Sequence, residues 1–331
     1  MTTIFNFGEL MKKFKTLIFM FLLPAIVAII TGAFSLSSIS RTAYALSGNG
    51  GAFYVGNNST YVLEGRKSVS RFKATNGGGV YIANGGTFKM TGGDVFANSA
   101  SNGGGVYVAG GGTFTMSGGS ISQNTATSSA NGVTYGGGVF TAGTFNMSGG
   151  SIVENKNNGI YVSSGVTTIS GGTIAGNSTN AIYVANNGKL VIAGGTIVGD
   201  IKAQAGDIHL SKEAEISGKI ILADSTKSII LDNWTPYFVP TYTLDFSELV
   251  TVDTSKAYFV FAGTTGTQAD TSKMTIVAPN GYITVSKMVN GTNGIYFEKE
   301  KVEFPRDWKT QVASTTYMTT TVTPENLTSI K

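Results

Sequence analysis

Asn76-Gly-Gly-Gly-Val-Tyr-Ile82 and Asn102-Gly-Gly-Gly-Val-Tyr-Val108 are near-copies of one segment, and the fold turns on what repeats with them. Related segments open at Asn49, Tyr135, Asn158 and Asn180, so the starts lie 27, 26, 33, 23 and 22 residues apart. A Gly pair follows in successive units at 92/93, 118/119, 149/150, 171/172 and 194/195. Six residues after the first Gly of each pair stand Asn98, Asn124, Asn155, Asn177 and then Asp200. Three markers in constant order, at a period of roughly 20–50 residues, mark one structural unit repeated.

Within a unit the apolar residues alternate, as in Val106 and Val108, Phe114 and Met116, then Ile121. That period of two calls for short strands with one buried face, and 45 Gly argue against helix. Stacking the units gives inward columns Met90/Met116/Met147/Ile169/Ile192, Phe88/Phe114/Phe145/Thr167/Leu190 and Val95/Ile121/Ile152/Ile174/Ile197. One unit cannot bury its face alone, but parallel strands ~4.8 Å apart form a continuous core. Left-handed β-helices need strict hexapeptide repeats, whereas insertions such as Thr127 to Thr134 suit the right-handed form. The expected fold is all-β: a right-handed parallel β-helix of about seven coils over residues 46–235.

No Pro occurs between Leu46 and Thr235, whereas five of six lie beyond it, which sets a boundary near Trp234 to Pro240. Strands are expected at Ala257–Ala262, Met274–Ala278, Tyr282–Lys287 and Gly294–Glu298, with a hairpin turn at Asn280-Gly281. Residues 236–300 read as a small β-rich cap or continuation of the stack, and 301–331 as a polar, Thr-rich tail.

At the other end Lys12, Lys13 and Lys15 precede an apolar stretch from Leu17 to Phe34 and then Ala43-Tyr44-Ala45. This is the pattern of a secretory signal over residues 1–45, with Met11 as an alternative start and a mature chain from about Leu46. The alternative is an uncleaved anchor, against which Pro24 and the A-x-A site weigh. Of the net charge of +4, most belongs to the signal: 19 basic residues face 18 acidic ones beyond Ala45, leaving no electrostatic case for nucleic acid. The chain has no Cys, so disulfides and thiol catalysis are excluded. The expected location is secreted or cell-surface, with membrane contact only through an uncleaved signal.

The paired motif Gly-Gly-Gly-Val with hydrophobic-x-x-Asn, as in Val95-Phe-Ala-Asn98, Ile121-Ser-Gln-Asn124, Ile152-Val-Glu-Asn155 and Ile174-Ala-Gly-Asn177, resembles the repeats of bacterial polymorphic outer membrane proteins in the pectin-lyase-like superfamily. The resemblance covers roughly Asn49 to Asp200 and implies a right-handed β-helix on a cell surface, often an adhesin. The family's Phe is replaced here by Val or Ile, and the first unit has Arg71 where Asn is expected. The residues beyond the repeats are too few for an outer-membrane barrel.

Asn98, Asn124, Asn155 and Asn177 are expected to form a structural ladder that bonds backbone groups. An outward aromatic stripe is expected at Tyr54, Tyr81, Tyr107, Phe140, Tyr161 and Tyr183, each lying between two inward aliphatic residues. It serves either inter-strand packing or the binding of a glycan, matrix or extracellular protein partner. On the next face the outward positions Thr87/Lys89/Thr91, Thr113/Thr115/Ser117, Thr144/Asn146/Ser148 and Val166/Thr168/Ser170 add an array of small hydroxyls, interrupted by Lys89, Asn146 and Val166. The rival reading is a polysaccharide lyase or hydrolase, which needs paired carboxylates on adjacent rungs. Asp94 stacks on Ser120, Ser151, Thr173 and Thr196, and Glu154 on Ala97, Gln123, Gly176 and Gly199. Asp200, Asp207, Glu213 and Glu215 lie near the single His209, where the repeat degrades. The expectation is therefore a non-catalytic binding module without cofactor or metal, with an enzyme or a purely structural spacer as alternatives.

Overall fold

The computed structural model describes residues 39–40, 48–130, 133–263 and 267–301, and none of these is helical. The predicted signal segment, apart from Ile39 and Ser40, and the predicted tail beyond Lys301 lie outside the described residues. The architecture is all-β, with strands from successive units paired in parallel into a solenoid-like stack.

Three strand faces recur. Phe53–Val55, Val80–Ile82, Val106–Val108 and Gly136–Thr141 stack in parallel, followed by the start of Asn158–Ala175 and of Ile182–Val198. The second and third faces share the long strands Thr87–Phe96, Thr113–Ser122 and Thr144–Val153. The three columns expected from periodicity are present rung by rung, Met116 pairing with Met90 and Met147, and Phe114 with Phe88 and Phe145. Each long strand bends at its Gly pair, where the register slips. Gly119 shows why: its φ is +85°, and a Cβ there would lie 2.6 Å from Met90 Cε.

The inward columns are fully buried and form one continuous core. Two hydroxyls sit in it without a hydrogen-bond partner: Thr141, between Val108 and Val162, and Thr167, between Phe145 and Leu190. The insertion at Thr127 to Thr134 contains a small antiparallel ribbon, Ser129–Ala130 against Val133–Thr134.

Parallel pairing continues past Pro240. Lys219–Leu222, Thr243–Asp245 and Thr275–Val277 extend the first face, and Ile229–Trp234 with Phe259–Gly263 extend the second. Thr292–Lys299 then pairs antiparallel with Phe259–Gly263. The expected turn at Asn280-Gly281 is present between Thr275–Val277 and Tyr282–Val289: Tyr282 N–H bonds Pro279 C=O at 3.1 Å, and of that Asn-Gly pair only Gly281 has positive φ. That is a type II pattern. The Asn-Gly pair with both φ positive is Asn290-Gly291, at 50° and 77°, between Tyr282–Val289 and Thr292–Lys299.

Candidate functional site

The asparagine ladder is built from local backbone geometry. Ala97, Gln123 and Glu154 hold φ of 54–55°, and this left-handed residue swings the following Asn inward. Asn98, Asn124 and Asn155 are 0–1 % exposed. Each backbone N–H donates to the next Asn Oδ1 at 3.0 Å, through to Asn177. Each Nδ2 donates to the carbonyl of the preceding rung, Asn124 to Val95 at 2.8 Å and Asn177 to Ile152 at 3.1 Å. The Gly of the paired motif makes room for these amides: a Cβ on Gly105 would lie 3.0 Å from Asn124 Nδ2. At the N-terminal end the ladder meets Phe72, whose N–H donates to Asn98 Oδ1 at 3.0 Å. This corrects the expected alignment, because Arg71 takes the left-handed position (φ 64°) and Phe72 the inward one. A second ladder, which reading for repeats marks but does not reveal as bonded, runs Asn49, Asn76, Asn102 at 2.9 and 2.7 Å and resumes between Asn158 and Asn180.

All six residues of the aromatic stripe stack in one continuous column. Tyr54–Tyr81, Tyr81–Tyr107, Tyr107–Phe140, Phe140–Tyr161 and Tyr161–Tyr183 have centroids 5.3, 5.1, 4.7, 5.3 and 5.1 Å apart, with planes within 14°. Such pairs add about 0.5–1.5 kcal/mol each beyond area burial. The stacking also hides ring faces against one another. A ligand stacking on each ring face is therefore not what this geometry accommodates.

Nor is the stripe uniformly exposed. Tyr54 is 52 % exposed and Tyr81 and Tyr107 are partly so, whereas Phe140, Tyr161 and Tyr183 fall to 7 %, 9 % and 4 %. Tyr135 lies edge-on against Phe140 and Tyr161, at 5.6 Å and 77° and at 5.0 Å and 82°. Tyr183 donates to Gln204 Oε1 at 3.3 Å, and Lys202 follows it in the column, paired with Glu248 at 2.7 Å. Burial pushes the phenols of Tyr81, Tyr107 and Tyr161 up, with a neighbouring phenol adding to it, and holds Tyr183 at about 12. Alternation along a strand locates outward positions, but covering from elsewhere in the chain is invisible to it.

The carboxylates near His209 are dispersed rather than gathered. Asp207 pairs with Lys227 at 3.0 Å, Asp200 accepts from Lys219 N–H at 2.9 Å, Glu215 accepts from Thr196 Oγ1 at 2.9 Å, and Glu213 accepts from Ser211 Oγ. His209 is not simply solvated as a lone His would be: its Nδ1 lies 3.0 Å from Asp232 Oδ2. Asp94 keeps Ser120 as its cross-strand neighbour, and Glu154 Oε2 accepts from Gln123 Nε2 at 3.3 Å. Among the described residues no group of three or more His, Cys, Asp or Glu is placed to hold a metal ion.

Comparison with protein-family models, curated proteins and solved structures finds no match for this chain.

Proposed function

We propose that the protein is a secreted or cell-surface right-handed parallel β-helix of about seven coils, an adhesin-like module that binds an extended glycan along its long axis. Tyr54, Tyr81 and Tyr107 are the contact residues. The observation that carries this reading is that these three stacked rings, at one-rung spacing, keep exposure to solvent on a stack whose other aromatic rungs are covered. A polyhydroxylated polymer lying along the axis can exchange hydrogen bonds with successive phenols. Its cost in ordering is low, because the rings are already fixed by their neighbours. Exposed Asn57 and Asn84, three residues beyond Tyr54 and Tyr81, add amide donors and acceptors beside the stripe. The resemblance to surface-protein repeats supports display outside the cell, and the dispersal of carboxylates supports binding without cleavage.

The test is a glycan-array screen of the full chain, with reducing-end release assayed on every polysaccharide that binds. Saturable binding without release is the expected result. Release of reducing ends would make the protein an enzyme, with His209 and Asp232 the first pair to mutate. Silence on both would replace the binding role by that of a stiff spacer.

A further inference from the structure

We infer that Tyr135 is a specificity-determining residue that ends the contact surface after Tyr107, so that the bound glycan segment is limited to the span from Tyr54 to Tyr107. This rests on the binding role proposed above. The aromatic column itself has no reason to stop there: Tyr107 stacks on Phe140 at 4.7 Å and 4°, and the column runs on to Tyr183. What changes is access. Exposure drops to 7 % at Phe140 and 9 % at Tyr161, the two rings that Tyr135 meets edge-on.

Tyr135 also departs from the repeat at a cost. It stands four residues before Val139, where Asn76 and Asn102 stand four before Val80 and Val106. An Asn there would continue the second amide ladder from Asn102. With Tyr instead, Asn102 Oδ1 is left buried and without a hydrogen-bond partner, a defect that native interiors rarely carry. Repeats that break their own rule at a measurable cost do so where function asks for it. The result is a surface closed at one end by Tyr135 and open at Tyr54, with roughly 10 Å, or two rung spacings, between its outer rings.

The experiment uses Tyr135→Ser and Tyr135→Asn in the full chain; the second variant restores the repeat's own residue and so guards against loss of folding. Accessibility is read by nitrating tyrosines with tetranitromethane and locating the label by mass spectrometry. Tyr161 is expected to be protected in the parent and labelled in both variants. Binding is read with β-linked glucose and N-acetylglucosamine oligosaccharides of increasing length. Parent affinity is expected to level off at the length that spans Tyr54 to Tyr107, and the variants to gain on the order of tenfold for longer members. Continued protection of Tyr161, or labelling of Tyr161 with an unchanged plateau, would overturn the inference. Failure of the parent to bind any member would overturn the binding role itself and this inference with it, while the nitration result would still report whether Tyr135 covers Tyr161.

Discussion

Replacing Asn124 by Ala removes four side-chain hydrogen bonds at a position that is 0 % exposed. Two of the partners keep another bond: Asn98 Nδ2 still reaches Val69 C=O, and Asn155 Oδ1 still accepts from the residue 124 backbone. The Asn98 N–H loses its acceptor, and the Val95 carbonyl loses a donor. At about 1–3 kcal/mol for each buried group left short, the expected cost is about 2–6 kcal/mol. Asn177, at the end of the ladder, is only half-buried, and water can take over its partners, so Asn177→Ala should cost about 1 kcal/mol. Because each rung of a solenoid contacts only its neighbours, the loss should concentrate at the interface between the rungs of Asn98 and Asn124. Urea unfolding measures the total, and native-state hydrogen exchange at Val95–Asn98 and Ile121–Asn124 locates it. A cost for Asn124→Ala below about 1 kcal/mol, or one no larger than for Asn177→Ala, would refute a structural ladder.

Three further outcomes are expected. Thr141→Val replaces a buried, unpaired hydroxyl by a methyl in a column of Val108 and Val162, and should raise stability by about 1–2 kcal/mol in urea unfolding. Gly105→Ala should cost on the order of 2–4 kcal/mol in the same assay, since its Cβ would lie 2.7 Å from Gly138 O and 3.0 Å from Asn124 Nδ2. Raised tyrosine pKa values make stability constant up to about the unfolded value of 10.0 and decreasing as pH rises toward about 12, where Tyr183 and Tyr242 ionise in the folded chain. Phenolate absorbance followed with circular dichroism should show that loss above pH 10.0 and none just below it.

How much of this is legible in the sequence depends on the kind of interaction. The columns Met90/Met116/Met147 and Val95/Ile121/Ile152 follow from strand periodicity plus repeat alignment, because stacked parallel strands must place like over like. The inward Asn follows equally well, and only its first-unit counterpart, Phe72, is displaced by one residue. Side chains that meet across different turns are another matter. The cover Tyr135 gives Phe140 and Tyr161, the His209–Asp232 pair and the seal of Lys202 with Glu248 join residues whose proximity depends on how turns and neighbouring rungs pack. One signal was present: Tyr135 breaks a run of Asn at the unit start. The Asn280-Gly281 turn follows from that pair itself, but its type does not, since Gly281 alone takes positive φ.

The most direct test of the central claim compares Tyr54→Ser/Tyr81→Ser/Tyr107→Ser with the single change Tyr161→Ser, measuring glycan affinity and urea midpoint for each. The triple variant is expected to lose about tenfold or more in affinity, whereas Tyr161→Ser lowers the midpoint and leaves the affinity of the folded fraction intact. Unchanged affinity in the triple variant would contradict it.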